Sequence, residues 1–386
     1  MAKSNVVSIV VALVLIGGAI AYLESGRPRP IPRGDVTSVN AVGNEEKAKR
    51  FSVAKEITTP DGFINTDGKP VTIGEFIGKK VVLLDIWTYS CINCQRTTPY
   101  LNAWYKKYKD KGLEIIGLHT PEFEFEKDYQ NVLAATKSMG IKYPVVLDND
   151  YSTWNAYENR FWPRKYLIDI DGYVVYDHIG EGAYEETEQK IQELLEERMT
   201  RLNLQEEIAK DTYRPTDTIA TDFSKPRSPE IYFGAARNER LGNGEAGKSG
   251  IQNLAAPASV KANTLYLAGE WDFRGEFAEN INGSSPSTGS TSSPQASSGP
   301  WKIIFRYQGK TVYFVAGASD TVSIKILRDG APIGKARGKD VGDGSTVTVK
   351  EERLYTIVDD PTGYGEHTLE LIIENPGLQA FTFTFG

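Results

Sequence analysis

The sequence predicts an α/β domain, a mixed sheet with helices on both faces, followed by an all-β sandwich or jelly roll. Three observations carry this. Apolar strands alternate with helical stretches as far as residue 200 and close in a hairpin and a helix. From Glu230 onward, short alternating runs are separated by Gly-Lys, Asp-Gly and Pro-Gly turns, with almost no helical periodicity. The 2 cysteines, Cys91 and Cys94, form a C-x-x-C directly after a continuous apolar strand.

A chain of 386 residues suffices for two or three domains. The net charge of −7 and the lack of a dense Lys/Arg block argue against nucleic acid as a partner. Lys3 precedes the uncharged run Val6–Ala21. Residues 1–23 read either as a retained signal anchor or as a signal peptide cleaved near Ala19-Ile20-Ala21, and we prefer the anchor. Both place the rest outside the cytoplasm, in the periplasm or on the outer face of the cytoplasmic membrane. Residues 24–50, opening SGRPRPIPRG, read as a stalk.

The first domain spans 51–200. Apolar clusters over Phe51–Ile73, broken by Asp61-Gly62 and Asp67-Gly68, carry a hairpin signal. Val81–Trp87 reads as a strand buried on both faces. Asn93–Tyr108 reads as a helix kinked at Pro99, whose ring and missing N–H disturb the preceding turn. Leu113–His119 is the next strand, Phe125–Gly140 a helix, Tyr143–Leu147 a strand and Ser152–Asn159 a short helix. Lys165–Ile170 and Tyr173–Ile179 flank Asp171-Gly172 as an antiparallel hairpin, and Tyr184–Glu197 is an amphipathic helix. Residues 201–227 form a polar connector that can drape over a neighbour. Residues 228–386 form the β domain, with a low-complexity, disordered insert at 281–300. Asn282-Gly283-Ser284 within it is formally a glycosylation acceptor.

The C-x-x-C admits several readings. Zinc needs about four ligands, and His119, His178 and His367 all lie far from the cysteines in sequence, so no metal site is assigned. A structural disulfide closing so short a loop stabilises little. The redox reading is the economical one. Unpaired N–H groups and the positive dipole end favour the thiolate of Cys91, making it the attacking sulfur, and Cys94 one turn on resolves the mixed disulfide. Asp85, an acid in a strand that should be buried, either stays protonated or relays a proton to Cys94. Trp87 packs under the loop or serves as plain core. Pro163 is either an ordinary strand start or a cis proline that frees the backbone of Trp162 to pair with an extended substrate. Glu122, in the His119–Phe123 stretch after the second main strand, either tunes the thiols and gates partners or belongs to a solvated loop.

Strand–W-x-x-x-C-x-x-C–helix, Pro99 eight residues after Cys91, and Pro163 before a hairpin together resemble the thioredoxin fold. The resemblance makes Asp85 the buried acid, Cys91 and Cys94 the nucleophilic and resolving cysteines, Pro99 the helix kink and Pro163 the cis proline. LLDIWTYSCINCQRTTPYL, GLHTPEFEFE and YPVVLDNDYSTWNAYENRFWPRKYLIDIDG further resemble the extracytoplasmic thioredoxin-like region of TlpA/DipZ-type bacterial proteins. SPEIYFGAARNE and the tail GEHTLELIIENPGLQAFTFTFG resemble the carbohydrate-binding-module-like region that follows it there. This implies a thiol–disulfide oxidoreductase acting on extracytoplasmic protein disulfides or thiols, as a reductase, with no cofactor beyond the Cys91–Cys94 disulfide. The CcdA-like membrane electron carrier of that family has no counterpart in this sequence, so the expected donor is a separate membrane protein of that type. Ile92-Asn93 stands between the cysteines in place of Gly-Pro and leaves the potential open.

Two other enzymatic readings are a thiol oxidase and a thiol peroxidase. The second finds its threonine in Thr88 but has Leu84 where its proline belongs. From a different class comes a glycan, cell-wall or protein-binding module that targets the redox domain, with Trp271, Phe273, Trp301, Tyr307 and Tyr313 as a candidate stacking surface.

Overall fold

A computed structural model describes residues 45–216, 222–281 and 300–386. The expected anchor, the stalk up to residue 44 and nearly all of the low-complexity insert, Asn282 included, lie outside the described residues. Among those described, no helix is long and apolar enough to cross a membrane.

The end of the expected stalk is a helix, α1 (Glu45–Arg50), which leads into β1 (Ser52–Val53). Then come β2 (Gly62–Ile64), β3 (Val81–Trp87), α2 (Ile92–Tyr108), β4 (Leu113–His119), α3 (Tyr129–Ser138) and β5 (Val145–Leu147). A short α4 (Ser152–Ala156), β6 (Arg164–Ile168), β7 (Tyr173–Ile179) and α5 (Tyr184–Leu202) complete the unit. The sheet order is β1-β7-β6-β3-β4-β5-β2, with β3 parallel to β4 and antiparallel to β6. Every residue of β3 and β4 is buried, as a central pair covered on both faces requires.

Two expectations need correction here. The first apolar clusters make no hairpin: β1 pairs with β7 and β2 with β5, on opposite edges of the sheet. Asp-Gly turns reverse the chain, but each strand finds its partner on a different edge. The helix expected over 125–140 is broken, because the Asp128 carboxylate accepts the N–H groups of Gln130 and Asn131 and so starts α3 afresh. A 3-10 turn over Glu124–Lys127 precedes it.

The connector drapes over α2 and α5. Ile208 is buried in their core, and the N–H of Tyr213 donates to Glu188. The β region contains β8 (Ile231–Tyr232), β9 (Gly250–Leu254), β10 (Leu265–Phe273), β11 (Ala278–Asn280), β12 (Trp301–Gly309) and β13 (Thr311–Ala318). It continues through β14 (Val322–Arg328), β15 (Ala331–Pro332), β16 (Thr346–Val349), β17 (Arg353–Asp359), β18 (Gly365–Ile373) and β19 (Leu378–Phe385). These form one curled sheet that turns at β10, whose first half pairs with β12 and whose second half pairs with β9 and β11. The turn falls at Gly269, where φ is +97° and an added Cβ would lie 2.5 Å from the Trp301 ring.

The two regions are packed together. Tyr313, Val315, Leu354 and Phe381 of the β region join the same apolar cluster as Cys94, Leu101 and Trp104. The Phe381 ring stands 5.1 Å from Phe123, 4.9 Å from Phe125 and 5.2 Å from Phe277.

Candidate active site

The buried β3 delivers the chain into Thr88-Tyr89-Ser90, all buried, and then to Cys91, the N-cap of α2. Cys91 has extended backbone (φ −76°, ψ 117°) and its carbonyl accepts the Gln95 N–H at 3.0 Å. Its sulfur is therefore held at a helix start, half-buried, while Cys94 one turn later is 2 % exposed. The sulfurs are unlinked. Burial pushes the Cys94 thiol up, and the neighbouring Cys91 and Asp85 push it further.

The Cys91 thiol donates to the Trp162 carbonyl at 3.9 Å, and the Trp162–Pro163 bond is cis. Trp162 is fixed by its indole N–H, which donates to the Thr120 carbonyl at 2.9 Å, and by its ring, 4.3 Å from that of Trp154. Asp85 is 2 % exposed and its Oδ1 has no hydrogen-bond partner. Burial pushes its carboxyl up to about 7, against the pull of Lys165. Trp87 is buried, edge-on to His119 at 5.1 Å, and packs so close to β4 that a Cβ on Gly117 would lie 2.9 Å from its Nε1. Pro99 sits inside α2, where the Thr97 and Thr98 hydroxyls donate to the Asn93 and Cys94 carbonyls.

Glu122 does not lie in a solvated loop. Its carboxylate accepts Arg237 at 2.8 Å and the Tyr232 hydroxyl at 3.0 Å, both from the β region. The aromatic stacking surface is also corrected. Trp271, Phe273, Tyr307 and Tyr313 are all at most 1 % exposed: the curled sheet turns the first three inward, with Trp301 half-buried against the same core, and Tyr313 is covered by the first region. They offer a ligand no face.

Three residues escaped the sequence reading. Lys165 is fully buried directly opposite Asp85 in the β3–β6 register, its ammonium donating to the Gly180 carbonyl at 3.0 Å. Burial pulls its pKa down while Asp85, Cys94 and Glu181 oppose. The rule that singled out Asp85, a charge inside an apolar strand, would have found it in RKYLI. Arg96 pairs with both Glu181 oxygens at 2.7 Å and also donates at 2.7 Å to the Asn93 side chain, between the cysteines. Glu126 is fully buried beneath Ser90, and no sequence signal marks it. Away from this site, Asp169, Asp171 and Glu197 converge, but the Lys47 ammonium lies among all three carboxylates.

A half-exposed sulfur at a helix start, a buried partner thiol one turn on, and a buried acid beneath them define a dithiol site. Residues 44–195 match the Redoxin family, and residues 228–386 match a family described as "Thioredoxin like C-terminal domain". The thiol-disulfide oxidoreductase ResA of Bacillus cereus is 36 % identical over 148 residues, 38 % of this chain and 80 % of its own length. The chain thus belongs to the thioredoxin-like thiol–disulfide oxidoreductases. Protein DipZ of Mycobacterium bovis is 36 % identical over 340 residues, 85 % of this chain. The match covers 43 % of DipZ, so the chain spans less than half the length of that relative. A solved structure, a putative thiol:disulfide interchange protein DsbE from Chlorobium tepidum, is 25 % identical over 37 % of this chain and 99 % of its own, with a TM-score of 0.32.

Proposed function

We propose that the protein reduces disulfides in extracytoplasmic proteins through Cys91 and Cys94. The Cys91 thiolate attacks a substrate disulfide, forming a mixed disulfide and releasing one substrate thiolate. Asp85 then takes the proton of Cys94, whose sulfur attacks Cys91 and expels the second substrate thiolate. Two electrons pass to the substrate and the Cys91–Cys94 disulfide remains. A membrane dithiol carrier of the CcdA type is the proposed donor that restores the dithiol. The observation carrying this reading is the buried Cys94 thiol one turn into the helix, together with the buried Asp85 carboxyl, whose Oδ1 has no hydrogen-bond partner and whose charge acts on that thiol. A neutral, buried resolving thiol needs such a proton acceptor.

Trp162 and Pro163 shape the edge against which an extended substrate pairs beside Cys91. Trp87 and Pro99 support the loop and the helix carrying the sulfurs. The β region is proposed as a platform for the redox domain, and its likeness to carbohydrate-binding modules remains a proposal without a stacking surface behind it. With Cys94→Ser, a mixed disulfide through Cys91 should accumulate in an extract of extracytoplasmic proteins. No adduct, or an adduct unaffected by Cys91→Ser, overturns the exchange mechanism. Equilibration with glutathione tests direction, since a potential near about −120 mV would make the protein an oxidant.

A further inference from the structure

Beneath the Cys91 loop lies a carboxylate that the exchange steps do not use. One Glu126 oxygen accepts the Ser90 N–H at 3.2 Å and the Ser90 hydroxyl at 2.7 Å. The other accepts the backbone N–H of Glu122 at 2.6 Å and of Phe123 at 3.1 Å. All four partners donate, so both oxygens act as acceptors, the pattern of an ionised carboxylate. Burial pushes Glu126 up, and the Thr88, Ser90 and Glu122 donors pull it back against the charge of Glu122.

The loop on the far side of this strut is gripped by the β region. Arg237 and Tyr232 hold the Glu122 carboxylate, and Glu276 accepts the Glu124 N–H at 2.8 Å. Phe123 and Phe125 pack on Phe381. A continuous set of contacts therefore runs from the β region through residues 122–126 to Ser90, the residue before Cys91.

We propose that Glu126 is a positioning residue through which the β region sets the placement of the Cys91 sulfur. The inference rests on the exchange reading above. A fixed loop keeps the sulfur in attack geometry at the helix start, so loosening the strut slows exchange even when the thiol is fully ionised. A carboxylate acting only through its charge does the opposite, because removing a negative charge favours the thiolate.

The test uses the full chain, prereduced, reacting with a cystine-bridged peptide across a pH series, with urea midpoints measured alongside. Glu126→Gln cannot accept from both pairs of donors, and Arg237→Met removes the charged one of the two donors that hold Glu122. Each should lower the limiting rate at high pH by about threefold or more, and the double variant should be no slower than Glu126→Gln alone. Should Glu126→Gln fail to fold, Ser90→Ala replaces it, with the same loss expected and the same masking of Arg237→Met. An unchanged limiting rate with a lower pH midpoint would show charge without positioning and overturn the proposal. So would altered urea midpoints with unaltered rates, or losses that multiply independently. A wild-type protein that does not exchange sinks the dithiol reading and this inference with it; normal exchange with unaltered variants sinks this inference alone.

Discussion

Asp85 and Lys165 face one another across β3 and β6, both out of contact with solvent. With the Asp85 carboxyl pushed up to about 7, the fraction able to accept the Cys94 proton grows as pH rises through that value. Turnover of the wild-type protein should therefore climb around neutral pH. Asp85→Asn should lose that rise and, as a missing general base, fall by about 100-fold in steady-state disulfide reduction. His119 makes an opposite kind of prediction. It is fully buried, between the Trp87 edge and the Tyr89 face, and burial pulls it down to about 3. A depressed histidine contributes stability that is fully present above about 6.5 and is lost as pH falls toward the folded value. Between pH 7 and pH 4, wild type should lose about 3 kcal/mol more than His119→Phe in urea unfolding. Equal losses would mean that the ring is hydrated. At this scale the sequence announced the two sulfurs and Asp85 through residue type and place. Glu126 was illegible, since the stretch from Phe125 reads as a helix on which an acid is an ordinary exposed residue, and only the folded loop turns that carboxylate inward.

Elements were legible where periodicity and burial agreed. Val81–Trp87, Leu113–His119 and Tyr173–Ile179 stand as expected, because runs of apolar residues after a turn signal leave few alternatives. Pairing was less legible. An Asp-Gly turn says that the chain reverses, but not which edge of the sheet receives the strand, and β1 and β2 went to opposite edges. The corner in β10 was likewise hidden, since a lone glycine in an apolar run reads only as a weak point. Gly269→Ala tests that corner: a Cβ meets the Trp301 ring in a left-handed backbone, and the variant should lose about 2–4 kcal/mol by urea titration. A loss within about 0.5 kcal/mol would mean that the ring yields freely.

At the scale of the molecule, the β region is built into the core that carries Cys94. Phe381 is 2 % exposed and touches rings on both sides of the boundary. Phe381→Ala should cost about 3–5 kcal/mol and shift the unfolding of both regions together, read by near-ultraviolet ellipticity and by Cys94 protection from alkylation. Two separate transitions in the wild-type protein would contradict that coupling. Composition could say that two regions exist. It could not say that they share a core, because the outward residues of β13 and β19 look like any other strand residues until something covers them.

Lys47 gives the molecule a direction. Its ammonium clamps α1 to Asp169 and Asp171, at the turn between β6 and β7. Because Ile168 lies opposite Val82 and Arg164 opposite Ile86, that turn marks the pole where β3 begins, about 20 Å of strand away from the pole where Cys91 emerges. The Lys47 clamp and Cys91 therefore stand at opposite ends of β3, so a force applied through α1 bears on the end of the strand remote from the two sulfurs.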